Sequence, residues 1–200
     1  MNWAALESDP EIFTDYFRSL GMSQDWEFGE VFTLEEDIPC SAILLTYRTA
    51  SEQPVFQGSP LENSLFIRQP QELGNACGLL AGLHAVFNSD AQVQEQSLLY
   101  NLREGVRDKS PEEAAQWLIN NQELNRRHQE FSQEGQSQGT EEPDYHYVAF
   151  ARGYLFDGMM QAPVNLEVEG SGGFFGVLRQ KLETGQITPD MSVMVLKRVD

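Results

Sequence analysis

Hydrophobic and polar positions along the chain change period several times, and each change predicts an element. Ser8-Asp9-Pro10-Glu11 reads as a capping box with a proline in the first turn. Ile12, Phe13, Tyr16, Phe17 and Leu20 then repeat at helical spacing until Gly21 closes the helix. Residues 26–32 alternate as a strand, and Ala42-Ile43-Leu44-Leu45-Thr46-Tyr47 suits a central strand. Residues 50–63 are a surface connection, and Leu65-Phe66-Ile67 a short strand leading into Gly74-Asn75. From Cys77 to Phe87 small and apolar residues occupy every helical face, the pattern of a helix buried all round.

Residues 96–108 carry Leu98, Leu99, Leu102 and Val106 at helical spacing. Ser110-Pro111-Glu112-Glu113 is a second capping box, opening a helix through Ile119. Residues 132–144 contain no large apolar side chain and form a loop long enough to be functional. Strands follow at 145–151 and 154–156, joined at Arg152-Gly153, then an acidic Gly/Ser-rich stretch at 166–173. A helix over 174–182 and a strand over 192–197 complete the pattern. Strands and helices in separate runs point to an α+β domain with an antiparallel sheet.

Composition narrows the class. Two hundred residues suit one domain over 1–200, able to bury roughly 70% of its unfolded surface. Two cysteines, Cys40 and Cys77, make no disulfide framework and suit a reducing compartment, so a cytoplasmic or also nuclear protein is expected. The N-terminus lacks a signal-peptide pattern, and no apolar run approaches the roughly 18 residues of a membrane span. A net charge of −18 repels nucleic acid and anionic membranes and attracts basic partners. A solvated acidic surface explains the same charge without a partner. No CxxC or HxxxH spacing suggests a metal, and no cofactor is implied.

Cysteine hydrolysis needs a thiolate, a base, a group that orients the base, and donors for the oxyanion. Cys77 falls in the first turn of the buried helix, where free N–H groups favour a thiolate; a small buried hydrophobe would look the same. His84 is seven residues further on, roughly 10 Å along the helix, and reads as a structural histidine. His128, among Arg126, Arg127 and Gln129, reads as solvated. His146 remains as the base. With Arg152-Gly153 as a two-residue tip, Asp157 falls on the face of His146 as its diagonal neighbour at ~7–8 Å, within side-chain reach. A register slip of one residue would put it on the other face, and Asp157-Gly158 also suits an ordinary turn. The Cys77 N–H is one oxyanion donor, and Gln71 or Asn75 could supply a second, although Asn75 is more simply a helix cap.

These residues resemble a known family. Gln71-Glu72-Leu73-Gly74-Asn75-Ala76-Cys77-Gly78, followed by Gly82-Leu83-His84-Ala85, resembles the active-site segment of ubiquitin C-terminal hydrolases, papain-like cysteine peptidases. His146-Tyr147-Val148-Ala149-Phe150, Tyr154-Leu155-Phe156-Asp157-Gly158 and Pro163-Val164-Asn165 resemble the family's His and Asp strands. Trp3, Leu6-Glu7, Pro10-Glu11, Leu20-Gly21 and Trp26-Glu27-Phe28 carry the similarity to the N-terminus.

The resemblance implies the papain-like fold of that family with a knotted backbone, departing from the usual rule against threading. It implies Cys77 as nucleophile, His146 as base then acid, Asp157 as its orienting group, and Gln71 as the second oxyanion contact. The implied substrate is ubiquitin, cleaved after its C-terminal glycine through a thioester by a protein expected as a monomer. Leu6, Glu7, Asp9 and Asn75 are candidate substrate contacts, with Glu134, Glu141 and Glu142 behind them; all these carboxylates also read as ordinary surface charge. The hairpin between His146 and Asp157 is shorter than the family's, but an even shortening preserves the facing. The short stretch 132–144 corresponds to the loop over the cleft, which implies a preference for small or unstructured leaving groups. Competing readings are a hydrolase for another ubiquitin-like modifier, an inactive ubiquitin-binding module, and a glutamine amidotransferase.

Overall fold

The computed structural model describes residues 3–35, 38–48, 55–61, 64–132 and 145–199. Residues 133–144, the expected loop over the cleft, lie outside the described residues, and Glu134, Glu141 and Glu142 with them. The described strands are β1 (Trp26–Glu30), β2 (Ala42–Arg48), β3 (Ser59–Pro60), β4 (Tyr145–Ala151), β5 (Tyr154–Phe156), β6 (Val164–Asn165) and β7 (Met191–Arg198). They form one antiparallel sheet in the order β1-β7-β2-β4-β5-β6-β3. The helices are α1 (Pro10–Leu20), α2 (Cys77–Phe87), α3 (Leu98–Val106), α4 (Pro111–Ile119), α5 (Gln122–Ser132) and α6 (Gly170–Glu183). The α+β expectation therefore holds. At two residues each, β3 and β6 are too short to leave an alternating pattern in the sequence.

Burial on both faces explains why Ala42 to Leu45 of β2 are apolar without alternation. Ala42 and Leu44 pack into a cluster with the buried faces of α1 to α5, whereas Ile43, Leu45 and Tyr47 pack into a second cluster with Phe174, Phe175 and Leu178 of α6. The same division runs through β4, with Tyr147 and Ala149 on one side and Val148 and Phe150 on the other. Helix α2 lies within the first cluster with all eleven residues buried. Its glycine at position 82 lets the helix approach α1: a Cβ there would sit 2.2 Å from Phe17 Cζ.

Local chemistry departs from the sequence expectation at three places in this part of the structure. Helix α1 is capped by Asp9, whose Oδ1 accepts from the N–H groups of Glu11 and Ile12 at 2.7 and 3.1 Å. Ser8 lies one residue too far out to cap, and its hydroxyl pairs with that of Thr46 at 3.2 Å. Ser110 and Glu113 do form the second capping box. Leu65-Phe66-Ile67 is not a strand, because side chains of α2 and its C-cap take its backbone groups: Asn88 pairs with Leu65 at both N–H and C=O, and His84 Nε2 accepts from the Ile67 N–H at 3.0 Å. Helix α6 starts four residues earlier than predicted, at Gly170, with Ser171 in its first turn donating to Ile38 O at 2.6 Å.

His128 is the largest correction. It is 1% exposed rather than solvated, since Leu124 and His128 are one turn apart on the inward face of α5. Nε2 donates to Ala4 O at 2.8 Å, and Nδ1 faces the Tyr16 hydroxyl at 3.3 Å. Burial lowers its pKa and keeps the ring neutral.

A test of the α1–α2 contact is Gly82→Ala. Alanine favours a helix over glycine by ~1 kcal/mol, but a methyl group driven into the fully buried Phe17 ring costs about 1–3 kcal/mol. The urea midpoint should fall; an unchanged or raised midpoint would mean that Phe17 yields without cost.

Candidate active site

The hairpin β4–β5 positions the imidazole. Its tip residues Arg152 and Gly153 both have positive φ, 51° and 85°, the two-residue type I′ turn whose twist matches the strands it joins. Ala151 pairs with Tyr154, Phe150 with Leu155 and Ala149 with Phe156. Continuing that register puts Asp157 opposite Val148, on the face shared by His146. The side chains meet: His146 Nε2 donates to Asp157 Oδ1 at 2.7 Å, with both groups about nine-tenths buried. The N–H of Met159 donates to the same carboxylate oxygen at 2.9 Å. Asp157 is thus held before it holds the histidine.

The thiol arrives from the other core. Cys77 is the first residue of α2, 8% exposed, and no side chain caps that helix. The first-turn N–H groups have no intrahelical partner, so they are available to an anion beside the sulfur. The cap position is Ala76, not Asn75. Asn75 instead gives its backbone N–H to Trp3 O at 3.3 Å, and its side chain makes no hydrogen bond among the described residues. Ahead of it Gly74 has φ 51° and ψ −122°, a conformation that a side chain would resist.

His146 joins the two halves. Its ring hydrogen-bonds Asp157 through Nε2, and the nearby Cys77 thiol acts on its charge, which leaves Nδ1 as the nitrogen able to face the sulfur. Burial, the largest influence, opposes the charged ring. The hydrogen bonds and attraction from Asp157 and Cys77 together outweigh it and raise the pKa to about 9. The imidazole therefore keeps its proton through neutral pH beside a sulfur at a helix N-terminus. That places a positive charge next to the candidate nucleophile.

Other candidates occupy varied places. Gln71 opens a single 3-10 turn, Gln71–Leu73; its side chain is exposed, and no hydrogen bond ties it to the described residues. Leu6 is 4% exposed and packs in the first core cluster, so its side chain is committed to the protein. Glu7 is half-buried in the same N-terminal arm, and its carboxylate acts on the nearby Tyr147. Asp9 is occupied as the α1 cap. His84 is fully buried between Phe66 and Phe156; burial lowers its pKa to about 4, and it serves structure as expected. Among the described residues no cluster of three or more imidazoles, thiols and carboxylates converges as a metal site.

Tyr147 is a residue that sequence reasoning passed over. Its hydroxyl donates to Leu6 O at 3.0 Å, fastening the N-terminal arm beside Gly78 and the thiol. Its signal was its place immediately after His146, which turns it to the opposite face of β4.

Comparison with known proteins shows the family. The profile of the family described as ubiquitin carboxyl-terminal hydrolase, family 1, matches residues 3–180. The chain belongs to the ubiquitin carboxyl-terminal hydrolase family. It is a cysteine hydrolase by that membership. A probable ubiquitin carboxyl-terminal hydrolase of Dictyostelium discoideum is 28% identical over 179 residues, covering 78% of this chain and 70% of that protein. The ubiquitin carboxyl-terminal hydrolase isozyme L1 of Monodelphis domestica is 28% identical over 202 residues, covering 92% and 89%. The Trichinella spiralis UCH37 catalytic domain, solved bound to ubiquitin vinyl methyl ester, shares the fold with a TM-score of 0.81 at 20% identity, covering 100% of this hydrolase and 97% of that chain.

The raised imidazole pKa yields a prediction with a definite sign. Since His146 loses its proton only as pH rises through about 9, the alkaline limb of kcat/KM should lie near there. In Asp157→Asn the carboxylate's support is gone while burial still opposes the charge, so the limb should move toward neutral pH. A pH profile of the variant with its alkaline limb unmoved would show that Asp157 does not set the charge of His146.

Proposed function

We propose that this protein is a deubiquitinating hydrolase that cleaves the bond after the C-terminal glycine of ubiquitin through a thioester on Cys77. The observation that carries this reading is the buried hydrogen bond of His146 Nε2 to Asp157 Oδ1 at 2.7 Å, on an imidazole whose charge the Cys77 thiol also influences. The Cys77 thiolate attacks the glycine carbonyl, and the oxyanion is received by the Cys77 N–H at the uncapped start of α2, with the Gln71 side-chain amide as second donor. As the tetrahedral adduct collapses, His146 gives its Nδ1 proton to the departing amine or thiol. It then takes a proton from water, which attacks the thioester and releases the ubiquitin carboxylate and the free thiol.

The finer parts of the proposal rest on the family resemblance. The short 132–144 segment favours small or unstructured leaving groups. The backbone is expected to follow the family's knotted path and to act as one catalytic domain and as a monomer. Glu7 and the net charge of −18 suit the basic tail and binding face of ubiquitin. A chain with only two cysteines suits a reducing, cytoplasmic setting.

Ubiquitin carrying a C-terminal fluorogenic amide is the direct substrate. Cys77→Ala should lose turnover by about 10³-fold or more while still binding ubiquitin. Turnover by that variant at the wild-type rate would remove Cys77 from the chemistry, and a wild type that binds without turnover would make this a binding module. Salt offers a separate reading: between about 0.05 and 0.5 M, KM should rise severalfold with kcat nearly constant. A KM independent of salt would contradict electrostatic capture.

A further inference from the structure

Cys77 opens α2 and Asp157, which orients His146, stands on the loop after β5; one residue outside the triad bonds both the turn before α2 and that loop. We propose that Gln69 is a positioning residue that couples the Asp157 loop to the Cys77 turn and holds the oxyanion donors in register; this rests on the hydrolytic role of Cys77. Gln69 precedes Pro70, which keeps it out of the helical region. Its backbone N–H donates to Gly158 O at 2.8 Å, next to Asp157. Its side-chain Nε2 donates to Gly74 O at 2.7 Å, on the turn that enters Cys77. A carbonyl only accepts, so the amide orientation is assigned by its partner.

The bond to Gly74 matters because of which peptide it holds. The carbonyl of Gly74 and the N–H of Asn75 belong to one plane. Gln69 takes the carbonyl and Trp3 takes the N–H, so that plane is clamped from both sides. Gly74, with its positive φ, has no side chain of its own to limit rotation there. Two peptides further on is the Cys77 N–H, the proposed oxyanion donor. A rotation of the Gly74–Asn75 plane would tilt the start of α2 and misaim that donor, while leaving the sulfur beside His146.

Gln69 is also not the residue that stability alone would choose. Its Oε1 is buried without a hydrogen-bond partner, a cost that an apolar side chain of similar size would avoid. Gly74 is only half-buried, so water can replace the lost donor at its carbonyl. Replacement by leucine should therefore leave stability near wild type and still damage catalysis.

The test compares wild type, Gln69→Leu and Gln69→Glu, all in a Cys40→Ser background so that Cys77 is the only thiol. Turnover of ubiquitin fluorogenic amide is measured beside alkylation of Cys77 by iodoacetamide, a displacement at carbon that forms no oxyanion. For Gln69→Leu we expect kcat to fall about tenfold or more, with KM and the alkylation rate within about twofold of wild type. Gln69→Glu should lose as much at about pH 8. Its kcat relative to wild type should recover toward about pH 6, because a half-buried glutamic acid facing a carbonyl takes up a proton and donates again. A kcat for Gln69→Leu within twofold of wild type overturns the inference, as does a parallel loss of kcat, KM and alkylation, or a flat pH ratio for Gln69→Glu. A wild type without turnover removes the hydrolase reading and this inference with it; an active wild type with an unaffected leucine variant removes this inference alone.

Discussion

The 2.7 Å hydrogen bond between His146 and Asp157 is the contact on which the chemistry depends, and a backbone constraint makes it. Strand pairing has a period of two, so the facing of Asp157 is decided by the number of residues at the hairpin tip. The type I′ tip at Arg152-Gly153 holds that number at two. A three-residue tip would carry the carboxylate to the opposite face and leave a buried histidine with nothing to hold its charge. His146 is also the first inward rung of β4, opposite Tyr47 of β2, so its ring is pinned from the sheet as well.

The thiol depends on a different constraint. Cys77 belongs to the core cluster under α1 to α5, whereas His146 lies against Tyr47 of the cluster under α6. The site is where the two cores meet at the end of the sheet. Helix α2 can bring its N-terminus there because its small residues let it sink between α1 and β4 with every residue buried. The N-terminal arm then closes over this junction through bonds from Asn75, His128 and Tyr147 to the carbonyls of Trp3, Ala4 and Leu6. Burial and polar satisfaction thus work together: the arm's carbonyls are the acceptors that the buried donors need.

Much of this was legible in the sequence because it rests on local counting. The buried helix at 77–87 follows from periodicity, the facing of Asp157 follows once Arg152-Gly153 is taken as a two-residue tip, and the motif order around Cys77 and His146 carries the family. The misses arise where a side chain answers to a distant partner. His128 looked solvated among arginines, yet Tyr16 and Ala4, more than one hundred residues away in sequence, receive it. Leu65-Phe66-Ile67 has strand composition but bonds to His84 and Asn88, and Asn75 has a cap's identity while the helix begins one residue later. Gln69 drew no notice because its two contacts join loops that the sequence separates by more than eighty residues.

The central claim is that His146 is a charged imidazolium at neutral pH, held by its hydrogen bond to Asp157 and influenced by the nearby Cys77 thiol. Nitrogen-15 NMR of the histidine rings across a pH titration measures this directly. The account predicts that His146 keeps both ring protons through neutral pH, titrates near about 9, and shows a strongly deshielded Nε2–H proton from the bond to Asp157. A His146 ring that is neutral at pH 7 and titrates at or below its ordinary value of about 6.5 would contradict it.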